Sequence, residues 1–269
     1  MEQIEEKRQA LLQYLRELES VAVAFSGGVD SVFLMKMAQE ALREKAMAVT
    51  VHLHSFPERE REEAEEFCKR EKITQLVVQF DELAVEGFAE NPKNRCYLCK
   101  RALMSKVKEQ AEQAGAAFVC EGSNLDDCQD YRPGMQAVKE LGILSPLKEV
   151  GFTKAEIRIL EKKMHLPQWN KPSFACLSSR IPYGERITAE KLHMVELAEQ
   201  RMLELGFHQF RVRMHQEMAR IEVLPEEFER FAEEEVRTEI HDYLRELGFT
   251  YVSVDLGGYR TGNLNRQVK

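Results

Sequence analysis

A chain of 269 residues, 43 % hydrophobic and 31 % charged, is long enough for one large domain or two smaller ones and has the composition of a globular protein. No apolar run approaches the roughly 20 residues of a membrane helix, and the Glu- and Lys-rich start lacks a signal-peptide core, so the cytoplasm is the expected compartment. The formal net charge of −8 argues against a protein that holds nucleic acid by its overall field. Six cysteines spread from Cys68 to Cys176 do not make a small disulfide framework, and a reducing compartment keeps them as thiols.

Residues 2–17 predict an amphipathic helix with Ile4, Leu11, Leu12, Tyr14 and Leu15 on or near one face. The apolar, β-branched run 21–25 predicts the first strand, and Ser26-Gly27-Gly28-Val29-Asp30-Ser31 follows it at once. Two adjacent glycines let backbone approach a ligand without Cβ clashes, and the N–H groups and dipole of the next helix favour anionic oxygens. Ser26 and Ser31 add hydroxyl donors, and Asp30 can hold Mg²⁺. The turn lacks both the Gly-Lys-Ser/Thr ending of a Walker loop and the three spaced glycines of a dinucleotide fingerprint. Further on, the pattern predicts a helix to about Arg43, a strand over 46–53, a charged helix over 58–70 and a strand over 73–80. A helix over 99–114 and a strand over 116–121 come next. Strands alternating with helices predict an α/β fold, a doubly wound parallel sheet whose ligand edge carries residues 26–31, 52–55, Asp81 and 122–127. His52 and His54 alternate there without a third ligand and read as polar fringe.

Asn94-Arg95-Cys96-Tyr97-Leu98-Cys99-Lys100-Arg101 places a Cys-x-x-Cys pair just ahead of a helix, among polar and basic residues that lower thiol pKa. Alone, the pair fits a redox dithiol, half a zinc site or two ligands of an iron–sulfur cluster. Regularity falls between 126 and 185, where only 153–164 is clearly helical. Cys176 lies there in a proline-bracketed loop, Ser173-Phe174-Ala175-Cys176-Leu177-Ser178-Ser179-Arg180-Ile181-Pro182, and brings the candidate ligands to three. Three thiolates on a four-iron cluster leave one iron open, whereas structural zinc wants four protein ligands; Cys128 can supply a fourth, so zinc stays in play. Cys68 and Cys120 read as core residues.

From Thr188, a helix N-cap, the pattern runs helix to 205, strands over 208–214 and 219–224, one or two helices across 225–247 and a strand over 250–255. This predicts a smaller α+β domain, with the chain divided into 1–185 and 186–269. Arg211 and Arg213 share one face of a strand, where two guanidinium groups can fork a phosphate.

The hexapeptide from Ser26 to Ser31 resembles the Ser-Gly-Gly-x-Asp-Ser signature of the ATP pyrophosphatases, the PP-loop superfamily, which cleave ATP between the α- and β-phosphates. Together with Glu121-Gly122-Ser123-Asn124-Leu125-Asp126-Asp127, Tyr131-Arg132-Pro133-Gly134 and 175–184, the chain resembles the LarE-type pyridinium-3,5-biscarboxylic acid mononucleotide sulfurtransferases over nearly its whole length. That resemblance implies ATP and Mg²⁺ at Ser26, Gly27, Gly28, Val29, Asp30, Ser31 and Gly122. It further implies a 4Fe-4S cluster on Cys96, Cys99 and Cys176, and a phosphate-bearing substrate at Arg211 and Arg213, with Arg180 and Ser179 as further candidates and Asp127 and Arg132 as weaker ones. Members with one cysteine sacrifice its sulfur at the position of Cys176; the three-cysteine pattern here implies repeated turnover fed by an external sulfur donor. The family implies a homo-oligomer, in which Arg260 reaches a neighbouring subunit or the ligand. A tRNA thiolation enzyme is the competing expectation, opposed by the acidic charge and the absence of a second Cys-x-x-Cys pair.

Overall fold

A computed structural model describes residues 2–129, 133–172, 176–260 and 263, without the side chains of Cys128 and Gln129. Arg132 and the thiol of Cys128, both candidates above, therefore lie outside the described residues, as do residues 173–175. The chain forms two compact units: Met1–Glu82 with Cys96–Ser173, and Leu83–Arg95 with Phe174–Lys269.

The first unit opens with helix α1 (Glu2–Glu17) and continues through β1 (Val21–Ala24), α2 (Val29–Leu42), β2 (Ala46–His52), α3 (Glu58–Glu71) and β3 (Thr74–Gln79). Helix α4 (Arg95–Gln113), β4 (Phe118–Cys120) and helices α5 (Gly134–Glu140), α6 (Pro146–Val150) and α7 (Lys154–Lys163) complete it. The four strands form one sheet in the order β3-β2-β1-β4, every pair parallel. Period-two alternation places Val21 and Val23 of β1 in a core with Leu11, Leu15, Phe33, Ile157 and Leu160, from helices α1, α2 and α7. Ala22 faces the opposite core, with Val49, Val78, Met104, Val107 and Ala111, so α4 covers the other side. A parallel sheet covered on both faces explains the continuous apolar run of β1.

In the second unit α8 (Ala189–Glu204) starts at Thr188, whose side chain accepts from Lys191 N. Strand β5 (Phe210–His215) pairs antiparallel with β6 (Met218–Val223), and β6 pairs parallel with β7 (Tyr251–Val254). The parallel step requires a crossover, which a 3₁₀ stretch (Pro225–Ala232) and α9 (Glu234–Glu246) supply. Between 126 and 185 the structure adds α5, α6 and three 3₁₀ stretches, Leu125–Gln129, Pro167–Asn170 and Leu177–Arg180, to the one expected helix. The last passage of the chain between units lies at 173/174, and the element pattern set the expected boundary at 185/186. Residues 83–95 join the second unit because the side-chain amide of buried Asn91 donates to the carbonyls of Ile181, Pro182 and Glu185 at 3.2, 2.7 and 3.1 Å.

Candidate active site

The glycine turn leaves β1 and enters α2. Gly27 has φ +70°, and a Cβ there would stand 3.0 Å from Ala64 Cβ in α3, so both backbone and space require glycine. Gly28 is the N-cap of α2 and has no side chain to cap it, which leaves first-turn N–H groups for an anion. Ser31 Oγ donates to Gly28 O at 3.0 Å and lies 3.3 Å from both Ser26 N and Ser26 Oγ, fixing the curl of the turn. Gly122 closes the site from β4: a Cβ there would meet Ser31 N at 3.1 Å and Asp30 C at 3.2 Å.

A ring of hydrogen bonds surrounds Asp30. Asn124 Nδ2 donates to Asp30 Oδ1 at 3.1 Å, Asp126 N donates to Asn124 Oδ1 at 2.9 Å, and Lys154 N donates to Asp126 Oδ2 at 2.8 Å. Lys154 Nζ then donates to Asp30 Oδ2 and closes the circuit. Asp127 accepts from Asn124 N at 3.0 Å and so shapes the same loop. Lys154 holds its place because Thr153 and Glu156 form a capping box at the start of α7. Sequence reasoning put Asn124 on the ligand edge without a role and missed Lys154, since nothing local ties Lys154 to an aspartate 124 positions away. Asp30 suits Mg²⁺ chemically, since that ion is held by one or two carboxylates together with substrate phosphates.

Glu161 lies two turns along α7 on the face of Lys154. It is fully buried, with neither carboxyl oxygen hydrogen-bonded. Burial, then the charge of Asp30, pushes its pKa up to about 8, against the pull of Lys154 and Arg158. A raised carboxyl pKa means that the folded chain binds the extra proton, so its contribution is present at low pH and is lost as pH rises to about 8. Stability is therefore expected to fall by about 3 kcal/mol more between pH 5 and pH 8 in the parent than in Glu161→Gln. Urea denaturation of both proteins across that range checks this, and parallel pH profiles would refute it.

The five described cysteines are thiols. Burial, then nearby glutamates, pushes Cys68 and Cys120 up to about 12, which keeps them protonated and inert. Cys96 is exposed and Cys99 half-buried. They lie within the first turns of α4, because the helix starts at Arg95 just after Pro92 rather than at Cys99. Three positions apart on a helix, the two thiols share a face. Among the described residues no three His, Cys, Asp or Glu side chains form a group able to hold a metal ion. The donor chemistry of the three motif cysteines nevertheless fits an iron–sulfur cluster, since all three are thiols and none is buried.

In the second unit, exposed Cys176 is the N-cap of the Leu177–Arg180 turn. Its carbonyl accepts from Ser179 N at 2.9 Å and Arg180 Nη1 at 3.3 Å. Arg180, fully buried, forks Glu199 with two bonds of 2.8 Å, and Val212 N donates to the same carboxylate at 2.9 Å. Burial raises the Glu199 pKa, but the charge and hydrogen bonds of Arg180 outweigh it and hold the carboxyl below the usual range. Arg213 forks Glu222 at 2.7 and 2.9 Å and donates to Ser179 O at 2.9 Å. Arg211 lies 5.0 Å from the centre of the Tyr259 ring and donates to Phe210 O at 2.5 Å. Burial and then the charge of Arg180 lower its pKa, though a guanidinium stays charged. Cys176, Ser179, Arg180, Arg211 and Arg213 are thus brought to one cluster, while Cys96, Cys99 and the glycine turn belong to the first unit. The glutamates that orient the arginines were not foreseen; Glu222 is the cross-strand partner of Arg211.

Residues 1–128 match the PP-loop domain family. The chain is 42 % identical to the Synechocystis sp. protein slr1717, over 98 % of both chains. It is 35 % identical to pyridinium-3,5-bisthiocarboxylic acid mononucleotide synthase of Lactiplantibacillus plantarum, over 96 % of this chain and 94 % of that one. The Methanocaldococcus jannaschii protein MJ0830 is 26 % identical over 90 % of this chain. With its glycine turn, all-parallel sheet and full-length likeness to the synthase, the chain belongs to the PP-loop superfamily and, within it, to the LarE-type ATP-dependent sulfurtransferases.

Proposed function

We propose that this enzyme activates the carboxylates of pyridinium-3,5-biscarboxylic acid mononucleotide with ATP and replaces an oxygen of each by sulfur. The first-turn N–H groups of α2, Ser26 and Ser31 receive the phosphates, and Asp30 would hold Mg²⁺, which would neutralise charge on the departing pyrophosphate. A substrate carboxylate attacks the α-phosphorus, pyrophosphate leaves, and the mixed anhydride gives the acyl carbon a good leaving group in AMP. A sulfur nucleophile then takes the acyl carbon, AMP departs, and a thiocarboxylate remains; a second round treats the other carboxylate. Arg211, with Arg180, Arg213 and Ser179 around it, receives the substrate phosphate. Three buried guanidinium groups, those of Arg180, Arg211 and Arg213, lie together there, a lining that suits an anion. Cys96, Cys99 and Cys176 would hold a 4Fe-4S cluster, which would supply the sulfur nucleophile.

The observation that carries this reading is the exposure split among the described cysteines: Cys96 and Cys176 are exposed and Cys99 is half-buried, at a helix start and a polar turn, while Cys68 and Cys120 are locked by burial. Anaerobic reconstitution with iron and sulfide is expected to give a brown protein that turns over more than once with a sulfide source. The same treatment of Cys96→Ala should give a colourless one. Mass spectrometry after turnover decides the alternative, because loss of about 34 Da at Cys176, the mass of H₂S, marks a sacrificed thiol and overturns the cluster reading.

A further inference from the structure

Lys154 brings an ammonium to the glycine turn, and no step above uses it. Its ammonium rests on Asp30, the carboxylate assigned to the metal, and its backbone N–H is fixed through Asp126 and Asn124 in the ring that returns to Asp30. The pair is only partly screened, with side-chain exposures of 29 % for Lys154 and 22 % for Asp30. An ammonium and a divalent cation on one carboxylate repel each other, so Lys154 on Asp30 opposes the entry of a metal. A displaced ammonium needs another anion, and Glu161, on the same helix face, offers a poor one, with both carboxyl oxygens enclosed and no donor on either. A polyphosphate seated on the start of α2 provides the missing anion beside the very residue that the metal claims.

We propose that Lys154 is a counter-ion lock on Asp30, which makes divalent-metal binding conditional on nucleotide: the metal takes the carboxylate only when triphosphate oxygens receive the ammonium. This inference rests on the assignment of Asp30 to the metal. Its consequence is an order of loading, in which metal arrives with the nucleotide and the empty site rejects the bare ion. Lys154 is thus a positioning residue, and its removal has opposite effects on two binding constants, which a merely structural role would not produce.

The test measures Mn²⁺ binding by electron paramagnetic resonance, with and without α,β-methylene-ATP, which resists cleavage at the bond the enzyme breaks. Lys154→Gln is expected to tighten Mn²⁺ binding to the nucleotide-free chain at least about tenfold, since a fixed unit charge at contact distance is removed. The same variant should weaken binding of the Mn²⁺ complex of the analogue by about tenfold. Lys154→Arg keeps the cation and should leave nucleotide-free Mn²⁺ binding as weak as in the parent. Nucleotide-free Mn²⁺ binding that is unchanged or weaker in Lys154→Gln overturns the lock. Asp30→Asn separates the two layers: if it leaves Mn²⁺ binding with the analogue intact, the metal assignment itself fails. If it abolishes that binding while Lys154→Gln behaves as the parent, only the lock fails.

Discussion

Asp30→Asn is expected to slow pyrophosphate release from ATP by at least about 100-fold while leaving the chain folded. The substitution preserves shape but removes the one charged oxygen pair at the start of α2, so the metal that neutralises the departing pyrophosphate is left to phosphate oxygens and water. The fold depends little on this residue. Its partner Lys154 is partly exposed, and such pairs contribute about 1 kcal/mol or less. Hydrogen bonding with Asn124 can persist through the amide oxygen. A coupled pyrophosphate assay with the biscarboxylate mononucleotide, run beside thermal denaturation, separates the two effects. A rate within threefold of the parent would remove Asp30 from the reaction.

The largest stability loss is expected at Glu199, not at any residue of the glycine turn. Glu199→Ala should cost about 3–5 kcal/mol, because it strands the fully buried guanidinium of Arg180 and takes the acceptor from Val212 N. The exposed pair Arg186–Glu90, with side chains 67 % and 58 % accessible, offers the contrast, and its removal should cost less than about 1 kcal/mol. Chemical denaturation of the two variants makes the comparison. Equal losses would mean that the Arg180 fork is not a structural anchor of the second unit. The same substitution should loosen the backbone of Cys176, whose carbonyl Arg180 holds.

What was legible in the sequence was local. The apolar, β-branched run through Val21, Ala22 and Val23 announced a strand, and Thr188 and the Thr153–Glu156 pair sit where helix starts were expected. The glycine turn was legible because its conformational demands are written in consecutive residues. Long-range pairings were not: Lys154 with Asp30, Asn91 with Ile181 and Pro182, and Arg180 with Glu199 depend on how the chain returns to itself. Glu161 illustrates a subtler limit. In Leu160-Glu161-Lys162-Lys163 it reads as one more solvated charge, yet it follows Ile157 by four positions and lands on the apolar face of α7, fully buried. The start of α4 was masked in a similar way, because the polar and basic run around Cys96 looks like loop although nothing after Pro92 interrupts a helix.

The detour of residues 83–95 into the second unit makes the polypeptide cross between units three times, at 82/83, 95/96 and 173/174. Neither half is a contiguous stretch of the gene product, so no single cut yields both intact. A fragment beginning at 186 leaves behind Asn91 and the carbonyls it ties together, and one ending at 185 carries Asn91 without the strands of its own unit. The nucleotide-handling half and the arginine-bearing half are thus inherited, synthesised and lost together.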